Sequence, residues 1–380
     1  MTGLRVKWFL EAIPRGEHPA SGSRIMQLTS APMVSTNIYC EQPYCTADGG
    51  RLAFTRTVYR PEPVTSLWIY DLDRMRLTMV EQEVQGGIAT CKYSGEIYYV
   101  TTRRGGPRLV KLSLKTLDKE EVFNLEGVPP PKTIGTVSPD HRYYVNMSFL
   151  GPGRCAIVRL DLKRGEWRVI HEKPDIINPH PQFEPGRGED ILIQHNRGGL
   201  LDEQGNLVRL VGEEGATLYV IDREGGNYRP LPVGKPHTNP ITGHECWIGD
   251  TGEVLLTVAG TREQAMTNGV LLAAQPGAKR ARVVAKGCLV THISVSRDGR
   301  FFVGDLMSLP GIPIVIGSVK TGRWAILCET GSSGGRPQYT HPHPYMSGDN
   351  RWVIYNSDKT GIPQIYAAYV PESLLKQLEK

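Results

Sequence analysis

The sequence predicts an all-β chain folded as a seven-bladed β-propeller, closed by an N-terminal strand and finished by a short C-terminal helix. Three observations predict it. Short apolar runs of period 2, among them "RLAFTRTVY", "SLWIYDL", "EIYYVTT", "AIVRLDL" and "PIVIGSV", recur along all 380 residues, the pattern of half-buried strands. Gly and Pro number 42 and 28, about 18% of the chain against an ordinary share of roughly 12%, and they cluster as turns between the runs. A unit of strand, Asp-Gly-like turn, strand, hairpin and strand also repeats. Its turn markers are Asp48, Ser94, Asp140, Asp190, Asp250, Asp298 and Asp349, at steps of 46, 46, 50, 60, 48 and 51 residues. A propeller blade takes roughly 40–50 residues, and stacking blades in a ring buries the two apolar faces that each would expose alone.

The markers divide one domain, residues 1–380, into blades at roughly 38–80, 86–125, 133–172, 178–233, 243–286, 289–330 and 340–370. The last unit lacks a strand after "QIYAAYV", and "RIMQLTS" at 24–30 completes it. That pairing fastens the chain ends together and removes open sheet edges. The tail "ESLLKQLEK", 372–380, is the one helix the pattern offers.

Composition excludes several classes. Hydrophobic residues are 39% and charged residues 22%, so the chain is neither disordered nor membrane-spanning. No window approaches the roughly 18 apolar residues of a span. The net charge is +5 without a basic block, which argues against a nucleic-acid partner. The start "MTGLRVKWFLEAIPRGEHP" holds no signal-peptide core, so a cytoplasmic location is expected. The seven cysteines form no C-x-x-C pair and several lie in apolar runs such as "ECWI" and "AILCE", as reduced, buried thiols do.

The segment "GGRPQYTHPHPYMSGDN" gathers Gln338, His341 and His343 within six residues. In a strand, positions 341 and 343 share a side. Two imidazoles and an amide oxygen suit a divalent ion, and the oxygen tilts the choice towards Mn²⁺; a proline-rich loop with solvated histidines fits the same residues. The repeat adds a second argument. His244, His292 and His343 each lie six residues before their markers, Asp250, Asp298 and Asp349. Equivalent blade positions sit at equivalent heights around the central channel, so all three are expected to face it. His180 and Gln182, in "NPHPQFEP", fall near the same rim. Glu245 is expected to point away from His244 as a hydrogen-bond partner within its blade. His18, His141 and His171 lie in terminal or turn positions and are expected in solvent. "GSSGG", Gly331 to Gly335, matches a nucleophile elbow in letters only, because no helix can follow it.

From "PQYTHPHPYMSGDNRWVIYNSDKTGIPQIYAAYVPES" back through "THISVSRDG", "GHECW", "REGGNYR", "PHPQFEP" and "QPYCTADGGRLAF", the chain resembles the oligogalacturonate lyases, polysaccharide lyase family 22. The resemblance implies a seven-bladed propeller with Mn²⁺ in its channel, held by His292, Gln338, His341 and His343. It implies His244 of "HECW" as the proton-abstracting base. It also implies cytoplasmic β-elimination on an acidic oligosaccharide, short galacturonate oligomers including unsaturated digalacturonate. The C5 proton of a uronate is alpha to a carboxylate, a Lewis acid on that carboxylate stabilises the developing charge, and a neutral imidazole is a suitable base.

The family carries a carboxylate-clamping arginine in a segment like "ARMWLIN". Here the segment is "ATLYVID" and the position is Thr217. Arg197, in the "HNRGG" loop beside His195, and Arg336, beside Gln338, are the candidate replacements. The expected substrate contacts are therefore Arg197, His195, His180, Arg336 and Thr217. Two other readings compete. One keeps the metal and base but takes another uronate or a keto-sugar; Thr217 favours it. The other is a non-catalytic propeller of the TolB or WD type that binds a protein.

Overall fold

The computed structural model describes residues 6–59, 61–103 and 105–380. Strands dominate, and they fall in chain order into sets of antiparallel neighbours. The first set is Val34–Thr36, Arg51–Tyr59, Pro63–Asp71 and Arg76–Glu81. The second runs from Ala89–Thr90 to Lys119–Asn124, and the third from Gly135–Val137 to Glu166–Lys173. The fourth comprises Gln182–Phe183, Asp190–Asn196, Ala216–Asp222 and Arg229–Pro230. The fifth runs from Ile241–Trp247 to Arg282–Ala285, and the sixth from Ile293–Val295 to Trp324–Glu329. The seventh holds Tyr345–Met346, Trp352–Ser357 and Gln364–Tyr369. Ser23–Gln27 pairs antiparallel with its last strand, Ile25 opposite Ala368, and Ile13–His18 adds an outer strand that the pattern had not revealed.

The turns explain why the repeat is legible. In four of them a Ser or Thr two residues before the marker donates its hydroxyl to the Asp: Thr46 to Asp48, Ser138 to Asp140, Ser296 to Asp298 and Ser347 to Asp349, at 2.5–2.6 Å. Each Asp then accepts the amide N–H two residues further on, at 3.1 Å. These local bonds satisfy the backbone where the strands cannot, as Asx-type turns do.

One marker is misplaced. Asp190 lies inside a strand and pairs with Arg229. The turn of the fourth set is closed by Glu184, whose carboxylate accepts the N–H groups of Gly186, Arg187 and Gly188. The long step of 60 to Asp250 also contains a small hairpin, Leu200–Leu201 with Leu207–Arg209.

Buried side chains fill the spaces between consecutive sets. Leu255 and Cys246 of the fifth pack with Phe302 and Ile293 of the sixth. The same layering carries on from the last set to the first, where Ile354 and Ile365 meet Leu52 and Phe54. All seven cysteines are free thiols, six of them buried.

Two short α-helices are present among the described residues. Glu372–Leu378 is the expected tail. Arg262–Thr267 was not expected, although "TREQ" carries its signal: the Thr261 side chain caps Gln264, and the Gln264 side chain caps Thr261 in return, a reciprocal capping box. No helix among the described residues is long and apolar enough to cross a membrane.

Candidate functional site

The inner strands of the fourth to seventh sets, or the segments entering them, each bring one histidine to a common centre. His180 and His244 have ring centroids 6.4 Å apart, His244 and His292 4.4 Å, and His292 and His343 4.2 Å. With the turn of the fourth set correctly placed at Gly186, His180 too lies six residues before its turn position. The four are one repeat position used four times. His180 and His343 each stand between two prolines with left-handed backbone, φ +43° and +45°. Such a conformation costs of order 1–3 kcal/mol in a non-glycine residue and persists where surrounding structure fixes it. Asn37 and Asn356 do the fixing at His343. Asn37 Nδ2 donates to the His343 carbonyl at 2.7 Å, and Asn356 Nδ2 donates to Asn37 Oδ1 at 3.1 Å and to the His341 carbonyl at 3.3 Å.

His292, His341 and His343 form a metal-sized group, each offering a ring nitrogen within 4.8 Å of the others. His292 and His343 are buried. The arrangement leaves the right atoms free. His341 Nε2 faces the Gly335 carbonyl at 3.0 Å, and its Nδ1 has no partner. His292 Nδ1 faces Asp305 Oδ2 at 2.7 Å, which leaves Nε2. His343 Nε2 is buried without a partner. Buried polar atoms are almost always paired, so two orphaned nitrogens in one group fit an ion. Burial, with neighbouring imidazoles, holds both His292 and His343 well below the usual histidine range, as neutral ligands require.

Gln338 opens the turn Gln338–Thr340 immediately before His341 and is exposed, with no hydrogen-bond partner for its amide among the described residues. The "GSSGG" loop anchors this turn. Ser332 and Ser333 bond to the Asp358 carboxylate, and Ser332 also donates to the Thr340 carbonyl. Those serines are structural ties.

His244 is held from one side. Its Nδ1 lies 3.3 Å from the Tyr39 hydroxyl and 3.4 Å from Glu41 Oε1, which leaves Nε2 without an assigned partner. Tyr39 also packs against His180 and His343, with centroids at 5.4 and 5.0 Å. Glu41 is buried and faces His180 Nδ1 at 3.0 Å. Burial alone would raise the Glu41 carboxyl, but the two histidines bring it below the usual range. Burial would lower His180, and Glu41 instead lifts it to about 9.

Glu245 is not the hydrogen-bond partner expected of it. A register irregularity between Ile241 and Glu245 breaks the simple alternation of the strand, and the carboxylate groups with Glu41 and His180. It is fully buried with both oxygens unpartnered. Burial and then the neighbouring Glu41 charge drive its carboxyl well above the usual range.

The remaining candidates lie elsewhere. His195 bonds Asp175 at 2.8 Å and packs edge-on to Tyr219, and Thr217 pairs opposite it in the sheet. Arg197 is tied to Glu214. Arg336 is exposed, two residues before Gln338, and has no carboxylate partner among the described residues. His141 and His171, expected in solvent, are half-buried and meet tyrosine hydroxyls, Tyr98 at 3.1 Å and Tyr219 at 2.8 Å. Tyr39, Glu41, Asp305 and Asn37 were missed. Only long-range contacts mark them.

No family model matches the chain. It is similar across nearly its whole length to two curated lyases. The oligogalacturonide lyase of Pectobacterium atrosepticum and the oligogalacturonate lyase of Dickeya dadantii are each 23% identical, with 93% of this chain and 95% of the relative covered. Among solved structures, an oligogalacturonate lyase in complex with manganese superposes with a TM-score of 0.74 at 20% identity, covering 97% of this chain and 99% of that one. The oligogalacturonate lyase of Vibrio parahaemolyticus gives 0.72 at 20% identity, covering 98% and 100%. The β-propeller domain of a Pyrococcus furiosus protease gives 0.52 at 11% identity, covering 88% and 96%. These likenesses give the chain an all-β, propeller-like fold.

Proposed function

We propose that this protein is a metal-dependent carbon–oxygen lyase that cleaves short uronate oligosaccharides, oligogalacturonate and unsaturated digalacturonate, by β-elimination in the cytoplasm. One observation carries the reading: three grouped imidazoles, two of them buried, with nitrogens left free stand beside a fourth, His244, whose Nδ1 is already held. The similarity to curated oligogalacturonate lyases, and to one solved with manganese, supports it. The strand sets are then the blades of one seven-bladed domain, closed by the pairing of Ser23–Gln27 with the last strand.

His292, His341 and His343 would hold Mn²⁺ with the Gln338 amide oxygen. Bound there, the ion supplies Lewis acidity to a sugar carboxylate. The Nε2 lone pair of His244 takes the C5 proton, the C5–H electrons form the C4–C5 double bond, and the C4 oxygen leaves with its electron pair. Tyr39 and Glu41 keep the His244 ring in place, so that Nε2 faces the sugar. Arg336, without a carboxylate partner among the described residues, is the cation best placed to take a second uronate; Arg197 is engaged by Glu214, His195 by Asp175 and His180 by Glu41. Thr217 favours one further reading, the same chemistry on another uronate or a keto-sugar, because a hydroxyl cannot clamp a carboxylate bidentately.

The test is ultraviolet absorbance of the unsaturated product across a panel of uronate oligomers, on chelator-treated protein with and without added Mn²⁺. Mn²⁺-dependent absorbance on galacturonate oligomers is expected. No product from any uronate at any Mn²⁺ concentration would sink the lyase reading.

A further inference from the structure

Beside His244 lies a second cluster, of which the proposed chemistry uses only Glu41, as a support for the His244 ring. One carboxylate oxygen each from Glu41 and Glu245 and one ring nitrogen of His180 lie within 4.8 Å of one another. Glu41 is 2% exposed and Glu245 0%. Other groups around them are accounted for. Gln182 Nε2 donates to Glu41 Oε2 at 3.2 Å and to the Glu245 carbonyl at 2.7 Å, and Asn178 meets His180 Nε2 at 2.9 Å. What is not accounted for is the Glu245 side chain, whose two oxygens have no hydrogen-bond partner among the described residues.

The charge count points to a cation. Glu41 and Glu245 group with His180, His244 lies 3.4 Å from Glu41, and Lys92, whose charge also acts on Glu41, donates to the Trp247 carbonyl. With His244 neutral, as a base must be, an imidazolium at His180 balances only one of the two buried carboxylates it faces. A proton on Glu245 would balance the other, but its O–H would be a buried donor with no acceptor in reach. A divalent ion balances both carboxylates with His180 neutral, and gives the Glu245 oxygens a partner. Ligation through His180 Nδ1 leaves the proton on Nε2, where the Asn178 amide accepts it through Oδ1 after a half-turn. The same proline-flanked, left-handed backbone that delivers His343 to the first group delivers His180 to this one.

We propose that Glu41, Glu245 and His180 form a second divalent-cation site, distinct from the His292–His341–His343 group. Two carboxylate oxygens and one imidazole suit Mn²⁺ or a similar borderline ion. The inference stands apart from the lyase reading, because it concerns binding and not turnover.

Equilibrium dialysis of the full chain against Mn²⁺, with metal counted by mass spectrometry, tests it. Two equivalents per chain are expected for the wild type. Glu245→Gln, similar in shape but uncharged, should drop to one. His341→Ala with His343→Ala should also retain one, and the three substitutions together none. One equivalent in the wild type that disappears with the two histidines would overturn the second site, whatever the activity of the protein. So would two equivalents that survive Glu245→Gln. Should Glu245→Gln fail to fold by circular dichroism, wild-type crystals soaked in Mn²⁺ decide the matter. An anomalous peak between Glu41, His180 and Glu245 supports the site, and a peak at the three histidines alone overturns it.

Discussion

Asp305 Oδ2 lies 2.7 Å from His292 Nδ1, and its Oδ1 accepts the His292 backbone N–H at 3.0 Å. The carboxylate is fully buried. It fixes both the rotation of the imidazole and the nitrogen that carries the proton, so Nε2 is the one free to ligate. Burial costs Asp305 its usual acidity, raising its carboxyl to about 7, and its bonds to His292 and to the His343 backbone N–H offset part of that cost. Removing such a partner typically costs 10–100-fold in metal affinity. Asp305→Ala should therefore weaken Mn²⁺ binding at the three-histidine group by about that factor in calorimetric titration. Unchanged affinity would show that His292 is oriented by packing alone.

His244 should behave differently from the ligands. Its Nδ1 is held by Tyr39 and Glu41, and nothing places its ring among the three grouped nitrogens. His244→Ala should lower kcat by at least about 100-fold, the usual scale for a general base, while the Mn²⁺ bound at His292, His341 and His343 stays. If His244→Ala kept its rate while His195→Ala lost it, the base would have to be reassigned.

The repeat made much of this legible. Period-2 runs and Ser/Thr-x-Asp turns are local, so strands and turns could be read one segment at a time. The six-residue offset from histidine to turn marker placed His244, His292 and His343 at one centre, and the structure brings them there. His180 obeys the same offset, but Asp190 hid it. That aspartate is a strand residue paired with Arg229, and the true turn is built on Glu184. Glu41 and Asp305 could not be read at all. Their neighbours "CEQ" and "GDL" look like any loop acid, and what makes them special is burial against histidines 139 and 13 residues away.

The His180–Glu41 pair gives the metal-free protein a pH window. His180 is raised to about 9 by Glu41. Its contribution to stability is complete below the ordinary histidine value of about 6.5 and is lost as pH rises through about 9. Glu41 is shifted down, so its contribution is present above the ordinary glutamate value and lost as pH falls through the lowered one. Chelator-treated protein should thus lose Tm between pH 6.5 and 9.5. Glu41→Gln should flatten that slope. A slope identical to the wild type's would place the titrating group elsewhere.

A buried guanidinium and its partly buried carboxylate partner test how the N-terminal segment is held. Arg56 is 1% exposed, bonds Glu11 Oε2 at 2.5 Å and Oε1 at 3.1 Å, and lies 4.5 Å over the Trp68 ring. Glu11→Ala would leave the guanidinium buried beside only the Ser35 hydroxyl and aromatic faces. Breaking one side of a buried pair typically costs about 3–5 kcal/mol. Urea unfolding should show a loss of that order, and Glu11→Ala with Arg56→Leu should recover part of it. A loss under about 1 kcal/mol would mean that solvent reaches the guanidinium once Glu11 is gone.

The last prediction concerns the substrate clamp. Thr217 stands opposite His195 in the sheet, and His195 is occupied by Asp175. Neither offers a cation to a second uronate carboxylate. Arg336 does, since it is exposed next to the turn that carries Gln338 and His341 and has no ion-pair partner among the described residues. A clamp that acts on the ground state and the transition state alike changes KM more than kcat. Arg336→Ala should therefore raise KM for digalacturonate about 10-fold or more, the scale of one charge-assisted bidentate contact, with kcat held within a few-fold. Thr217→Arg should lower KM in the Arg336→Ala background, because it restores a cation from the strand Ala216–Asp222. If Arg336→Ala left KM untouched and Thr217→Arg alone improved it, the clamp would be absent from this protein. The preferred substrate would then be a uronate that needs no second carboxylate contact.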